Sequence, residues 1–282
     1  MILARPIPVV LALLLAVGAC GGESGTAALD TPRGPRYVAL GDSFTAGPGI
    51  SPVDSRSTEC ARSTVNYARL VAKAVDAASF SDVSCAGATT ANVLEMTPIP
   101  GSSTPLKAQL EAVEADTQLV TVGIGGNDSG LFSSLSSACT QQGDACATYL
   151  EDRLPAVLRS TRGHVVEVLR SIAERAPQAE VVLVGYLRVV PEDRGCEALG
   201  GTALDTGRVA DGEAAIDAMM SSAARTAGAT YVSMSAASEG HDACNADAWT
   251  NGLAPELGDG IPLHPRKTGM KQVAKAVEQA IA

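Results

Sequence analysis

Residues 37–49, YVALGDSFTAGPG, constrain the fold of this chain more than any other stretch. Tyr37, Val38, Ala39 and Leu40 are apolar or favour extended backbone, so they read as a short buried strand. The run breaks at Gly41-Asp42-Ser43, where glycine permits a tight turn and a small hydroxyl follows at the strand's carboxyl end. In an open α/β sheet, that edge is where ligands bind. Ser43 therefore has two readings, the N-cap of a following helix or a nucleophile, and partners further along the chain must decide between them.

Apolar periodicity continues the pattern. It predicts helices over 63–77, 106–115, 150–176, 208–227 and 266–280, and strands over 79–85, 118–124, 181–186 and 230–234. Alternation of this kind implies an α/β fold: a parallel sheet of about five strands, helices on both faces, right-handed crossovers. One domain over 36–282 accommodates it, with neither repeat nor second linker.

Three of these strands end in turns of glycine and polar residues: Gly41-Asp42-Ser43, Ala86-Gly87-Ala88 and Gly126-Asn127-Asp128. Parallel strands put their carboxyl ends on one rim, so the turns converge if the strands are neighbours. Backbone N–H groups of Ser43 and Gly87, with the Asn127 carboxamide, would then supply donors for a developing oxyanion. Taken alone, the Asn127 turn reads as a plain loop, and it is the combination on one edge that points to chemistry.

A serine nucleophile needs a base, and the chain offers three histidines. His164 falls off the apolar face of its helix and reads as a solvated helix residue. His241 lies in a loop beside Cys244, which a disulfide would tie down. His264 stands between Leu263 and Pro265, with Pro262 and Pro265 stiffening its loop, and Pro265 suits the start of the last helix. It is the candidate base.

The first 19 residues carry one basic side chain, Arg5, then an apolar run too short to cross a bilayer, then Gly18-Ala19. This is a signal-peptide pattern for export. Val17-Gly18-Ala19-Cys20 resembles a bacterial lipobox, so Cys20 is expected to carry the acyl chains that hold the protein to the outer face of the membrane, with 20–35 as a flexible tether. Secretion after ordinary cleavage is the alternative. The remaining cysteines, Cys60, Cys85, Cys139, Cys146, Cys196 and Cys244, are even in number and suit disulfides, but they allow fifteen connectivities. Neither CxxC nor HExxH occurs, so no metal or other cofactor is expected. The formal charge is −10, with basic residues scattered and aromatics sparse, which argues against a nucleic-acid partner.

The blocks Gly41-Asp42-Ser43, Gly87, Gly126-Asn127-Asp128 and His264-Pro265 together resemble the signature of the SGNH hydrolases, the GDSL lipases and esterases. The likeness covers the whole body of the chain and is nearest to the secreted actinobacterial branch, whose first block looks like YVALGDSFTAGPG. It implies a flavodoxin-like three-layer α/β/α sandwich. It also implies ester hydrolysis through an acyl-enzyme, with Ser43 as nucleophile, His264 as base, and Ser43, Gly87 and Asn127 as the oxyanion hole. Disulfides Cys60–Cys85, Cys139–Cys146 and Cys196–Cys244 follow from the same resemblance. The chain departs from the wider family in carrying Ile261 where most members have an aspartate three residues before the histidine. In the branch it resembles, a backbone carbonyl orients the imidazole instead, so Ile261 or Pro262 is the expected orienter and Asp259 the secondary candidate. The implied partner is an acyl ester substrate, lipid or small, and a monomer is expected. Acyl transfer, phospholipid cleavage and a surface-anchored binding module without turnover are the rival readings.

Overall fold

A computed structural model describes residue 1 and residues 34–282, apart from 142, 194, 202 and 203. The expected signal peptide, the Cys20 anchor and nearly all of the tether lie outside the described residues. Contacts divide the chain into Met1–Thr31 and Pro32–Ala282, and all that follows concerns the second unit.

The chain runs through β1 (Arg36–Gly41), α1 (Ser43–Ala46), α2 (Tyr67–Ala74), β2 (Ser79–Asp82) and α3 (Thr90–Leu94). A small hairpin of β3 (Thr97–Pro98) and β4 (Pro105–Leu106) leads to β5 (Leu119–Gly123), α4 (Leu131–Cys139) and α5 (Ala145–Thr148). Then follow α6 (Leu154–Arg175), β6 (Glu180–Val184), α7 (Thr206–Ala227), β7 (Thr230–Val232), α8 (Met234–Ala237) and α9 (Lys267–Ala280).

The main sheet has five parallel strands in the order β2-β1-β5-β6-β7. The order reverses at the β1–β5 boundary, and such a switch point opens a crevice at the strands' carboxyl ends. Alternate residues serve opposite faces. Val38, Leu40, Val120, Val122 and Leu183 join one core with residues of α6 and α7, while Tyr37, Ala39, Leu119, Val182 and Val184 join the other with α2 and α9. Both faces are covered, which gives the expected α/β/α sandwich.

Differences from the sequence reading lie mostly at element ends. Helix α2 starts late because Asn66 caps it, its side-chain oxygen accepting from Arg69 N at 3.1 Å. The helix expected over 106–115 is one 3-10 turn, Gln109–Ala112, since Pro105–Leu106 is committed to the hairpin and the Gln109 side chain to β1. Among the described residues the disulfides are Cys60–Cys85, Cys139–Cys146 and Cys196–Cys244.

Candidate active site

β1 delivers Ser43 to the switch point through a turn that only glycine fits. Gly41 has φ +148°, and a Cβ there would lie 2.6 Å from Gly123 O and closer still to the Thr45 hydroxyl. Gln109 clips the turn from the side, accepting from Gly41 N at 2.8 Å and donating to Gly41 O at 3.0 Å. The helix cap is Asp42, not Ser43: Asp42 Oδ1 accepts from Phe44 N at 2.9 Å. Ser43 is thereby the first helical residue, and its hydroxyl is left for other work.

That hydroxyl lies 2.9 Å from His264 Nε2, across 221 residues of chain. The other ring nitrogen, Nδ1, donates to Pro262 O at 2.8 Å, which fixes the tautomer that leaves Nε2 able to accept. Of the two expected orienters, Pro262 meets the ring, while Ile261 O accepts the backbone N–H of His264 at 3.3 Å. Asp259 does not reach the imidazole. It accepts from Arg266 Nε and Lys267 N, both at 2.8 Å, because those donors start α9 beside it. Phe44 packs against the His264 ring at 5.2 Å between centroids, and burial pushes the imidazole's pKa below its ordinary value, favouring the neutral form.

Asn127 reaches the same rim from the end of β5, and Gly87 occupies the adjoining turn. Asn127 Nδ2 donates to Ala88 O at 2.9 Å, joining the two turns. Gly87 has φ +83°, a left-handed conformation that glycine adopts without strain. Ser43, Asn127 and His264 line one cavity of about 540 Å³. Phe132 and Leu135 from α4, with Val190, Leu204 and Val209, make much of its wall apolar.

Two further residues tie the site together, and neither is given a role by the sequence reading. Tyr186, just past the end of β6, donates to Asp42 Oδ2 at 2.6 Å and accepts from Gly126 N at 2.7 Å. One phenol thus ties the serine turn to the Asn127 turn. Its place beyond a strand's carboxyl end was the available clue. Burial raises the Asp42 carboxyl to about 7 despite that hydrogen bond and the one from Phe44 N. Asp128 forms the second tie. Its carboxylate accepts from Thr90 N at 2.9 Å and from the Thr90 hydroxyl, and lies 3.3 Å from His164 Nδ1. His164 is therefore half exposed but partnered, not simply solvated as expected. His241 stacks on Trp249 at 4.2 Å and bonds Asp247 O at 2.8 Å, apart from the cavity-lining set. Among the described residues, no group of three or more His, Cys, Asp or Glu side chains could hold a metal ion.

A family model for the GDSL-like lipase/acylhydrolase family matches residues 39–272. The chain belongs to that family. Within it, this member is 35% identical over 255 residues to Lipase 2 of Streptomyces coelicolor, covering 85% of this chain and 83% of that protein. The extracellular lipase of Streptomyces rimosus superposes with a TM-score of 0.73 at 29% identity, covering 86% of this chain and 98% of that one. Phospholipase A1 of Streptomyces albidoflavus gives a TM-score of 0.72 at 29% identity, over 88% of this chain and 99% of that one. The chain is a GDSL-type lipase/esterase, an ester hydrolase.

Proposed function

We propose that this hydrolase cleaves acyl esters by a Ser43–His264 dyad through an acyl-enzyme. The observation that carries the reading is the 2.9 Å approach of Ser43 Oγ to His264 Nε2, with Nδ1 already engaged by Pro262 O. His264 takes the Ser43 proton as the oxygen attacks the ester carbonyl, then returns it to the leaving alcohol. The oxyanion is met by the N–H groups of Ser43 and Gly87 and the Asn127 carboxamide. Water, activated by the same imidazole, releases the acid and frees the serine.

The acyl chain occupies the cavity beside Ser43, whose apolar wall favours a chain longer than acetyl. Phospholipid is the second reading of the same site, favoured by the likeness to the phospholipase A1 of Streptomyces albidoflavus. Export through the signal peptide, with anchoring through Cys20, would hold the enzyme at a membrane face where lipid esters are at hand. Labelled palmitate incorporated into the protein in vivo, and lost in Cys20→Ser, is the result expected of an anchor. Incorporation unaffected by that change would contradict it.

Hydrolysis of p-nitrophenyl esters from acetyl to palmitoyl tests the reaction. Activity that vanishes in Ser43→Ala, with an optimum above acetyl, supports the account. Absence of activity at every length, from folded and oxidised protein, would point instead to a transferase or a binding module.

A further inference from the structure

The cavity beside Ser43 is not uniformly apolar. Glu213 of α7 lies one turn beyond Val209, and residues four apart share a helix face, so both line the cavity. Both Glu213 carboxyl oxygens are 3.2 Å from Val189 N, and Val189, Val190 and Leu204 are its neighbours in the cavity lining. A plain alkyl chain gains nothing from a carboxyl in its pocket wall, and displacing water from that group without replacing its hydrogen bonds is costly. Burial also raises this carboxyl to about 8, against the backbone hydrogen bonds of Val189 and Val190 and the pull of Arg188, which favours the protonated form at neutral pH. In that form it both donates and accepts hydrogen bonds.

We propose that Glu213 is a specificity residue for the acyl group, and that the preferred substrates are esters of hydroxylated acyl chains whose hydroxyl pairs with this carboxyl. The inference rests on the reading that the acyl chain, rather than the alcohol, fills the cavity. A hydroxyl on the chain meets a partner that can both give and take a hydrogen bond, whereas the unsubstituted chain leaves that carboxyl with its backbone partners alone. One such hydrogen bond corresponds to a preference of about tenfold in kcat/KM.

The test compares p-nitrophenyl esters of equal chain length with and without a hydroxyl, moved along the chain from the third carbon to the terminus. The parent enzyme, Glu213→Gln and Glu213→Leu are assayed side by side. The account expects the parent to favour one hydroxylated isomer by about tenfold, Gln to keep part of that preference and Leu to abolish or invert it. A purely structural role for Glu213 would lower all rates together and leave the ratio fixed. No preference at any hydroxyl position in the parent, or an unchanged ratio in folded Glu213→Leu, would overturn the proposal. If the Leu variant does not fold, the parent ratio and the Gln variant decide. Absence of hydrolysis in the parent, or hydrolysis that survives in Ser43→Ala, would instead refute the dyad, so the two failures are distinguishable.

Discussion

Tyr186 donates a 2.6 Å hydrogen bond to Asp42, the residue immediately before Ser43, while its oxygen accepts from Gly126 N, immediately before Asn127. The phenol is buried, and T-shaped contacts with Phe44 and Phe132 hold its ring in place. One side chain that follows a third strand thus bridges the Ser43 turn and the Asn127 turn. Removing that oxygen leaves Gly126 N and an Asp42 oxygen without their partner and loosens both turns.

Tyr186→Phe should therefore lower kcat by roughly tenfold or more while KM stays within about twofold, because alignment at the reacting centre suffers more than binding. Steady-state kinetics on a soluble ester, with circular dichroism to confirm folding, checks this. A variant with parental kcat would show that the packing of the ring, not its hydroxyl, sets the spacing.

Asn127→Ala removes a side-chain donor from the candidate oxyanion hole. The expected loss in kcat is on the order of 10²–10³, with the melting temperature little changed. Full activity in this variant would mean that the oxyanion is stabilised elsewhere.

The pH profile follows from His264. Burial lowers its pKa, and the base must be neutral to accept the Ser43 proton. The acid limb of kcat/KM should thus have its midpoint below the ordinary 6.5 of histidine, with a plateau above it. Asp42, raised to about 7, would add a separate inflection there, one that Asp42→Asn removes. A histidine limb well above 6.5 would contradict the buried, carbonyl-oriented imidazole.

Asp42 and Glu213 also make stability depend on pH. Both have folded-state pKa values raised, to about 7 and about 8, from ordinary values of 3.8 and 4.5. Between those limits the folded chain holds protons that the unfolded chain has released, so their contribution is full below the ordinary values and is lost as pH rises through 7 and 8. Melting temperatures measured from pH 5 to 9 should show Glu213→Gln losing less stability than the parent across that range. Parallel curves for the two proteins would show that Glu213 does not take up a proton on folding.

Much of this site was legible because β1 and β5 each end in a turn whose residue types carry chemistry. The strand-helix alternation gave the layer order, and the prolines around His264 pointed to a stiffened loop. Helix 106–115 misled because its apolar spacing said nothing of Gln109, whose side chain binds the backbone of Gly41, a partner 68 residues away. The same holds for Tyr186 with Asp42 and for His164 with Asp128, which pair only once the strands are in register. Local periodicity reports which face of an element is buried. It cannot report which polar group across the sheet will satisfy a buried donor. Glu213 lies within the helix expected over 208–227 with nothing local to mark it, and the packing of α4 against α7 brings it to a cavity.

The most direct test of the central claim is covalent labelling of the folded, oxidised protein with a serine-reactive fluorophosphonate, followed by intact mass and peptide mapping. The account predicts one adduct, on Ser43, formed rapidly in the parent, far more slowly in His264→Ala and not at all in Ser43→Ala. An adduct on another serine, or none on Ser43 while esters are still turned over, would contradict the Ser43–His264 dyad.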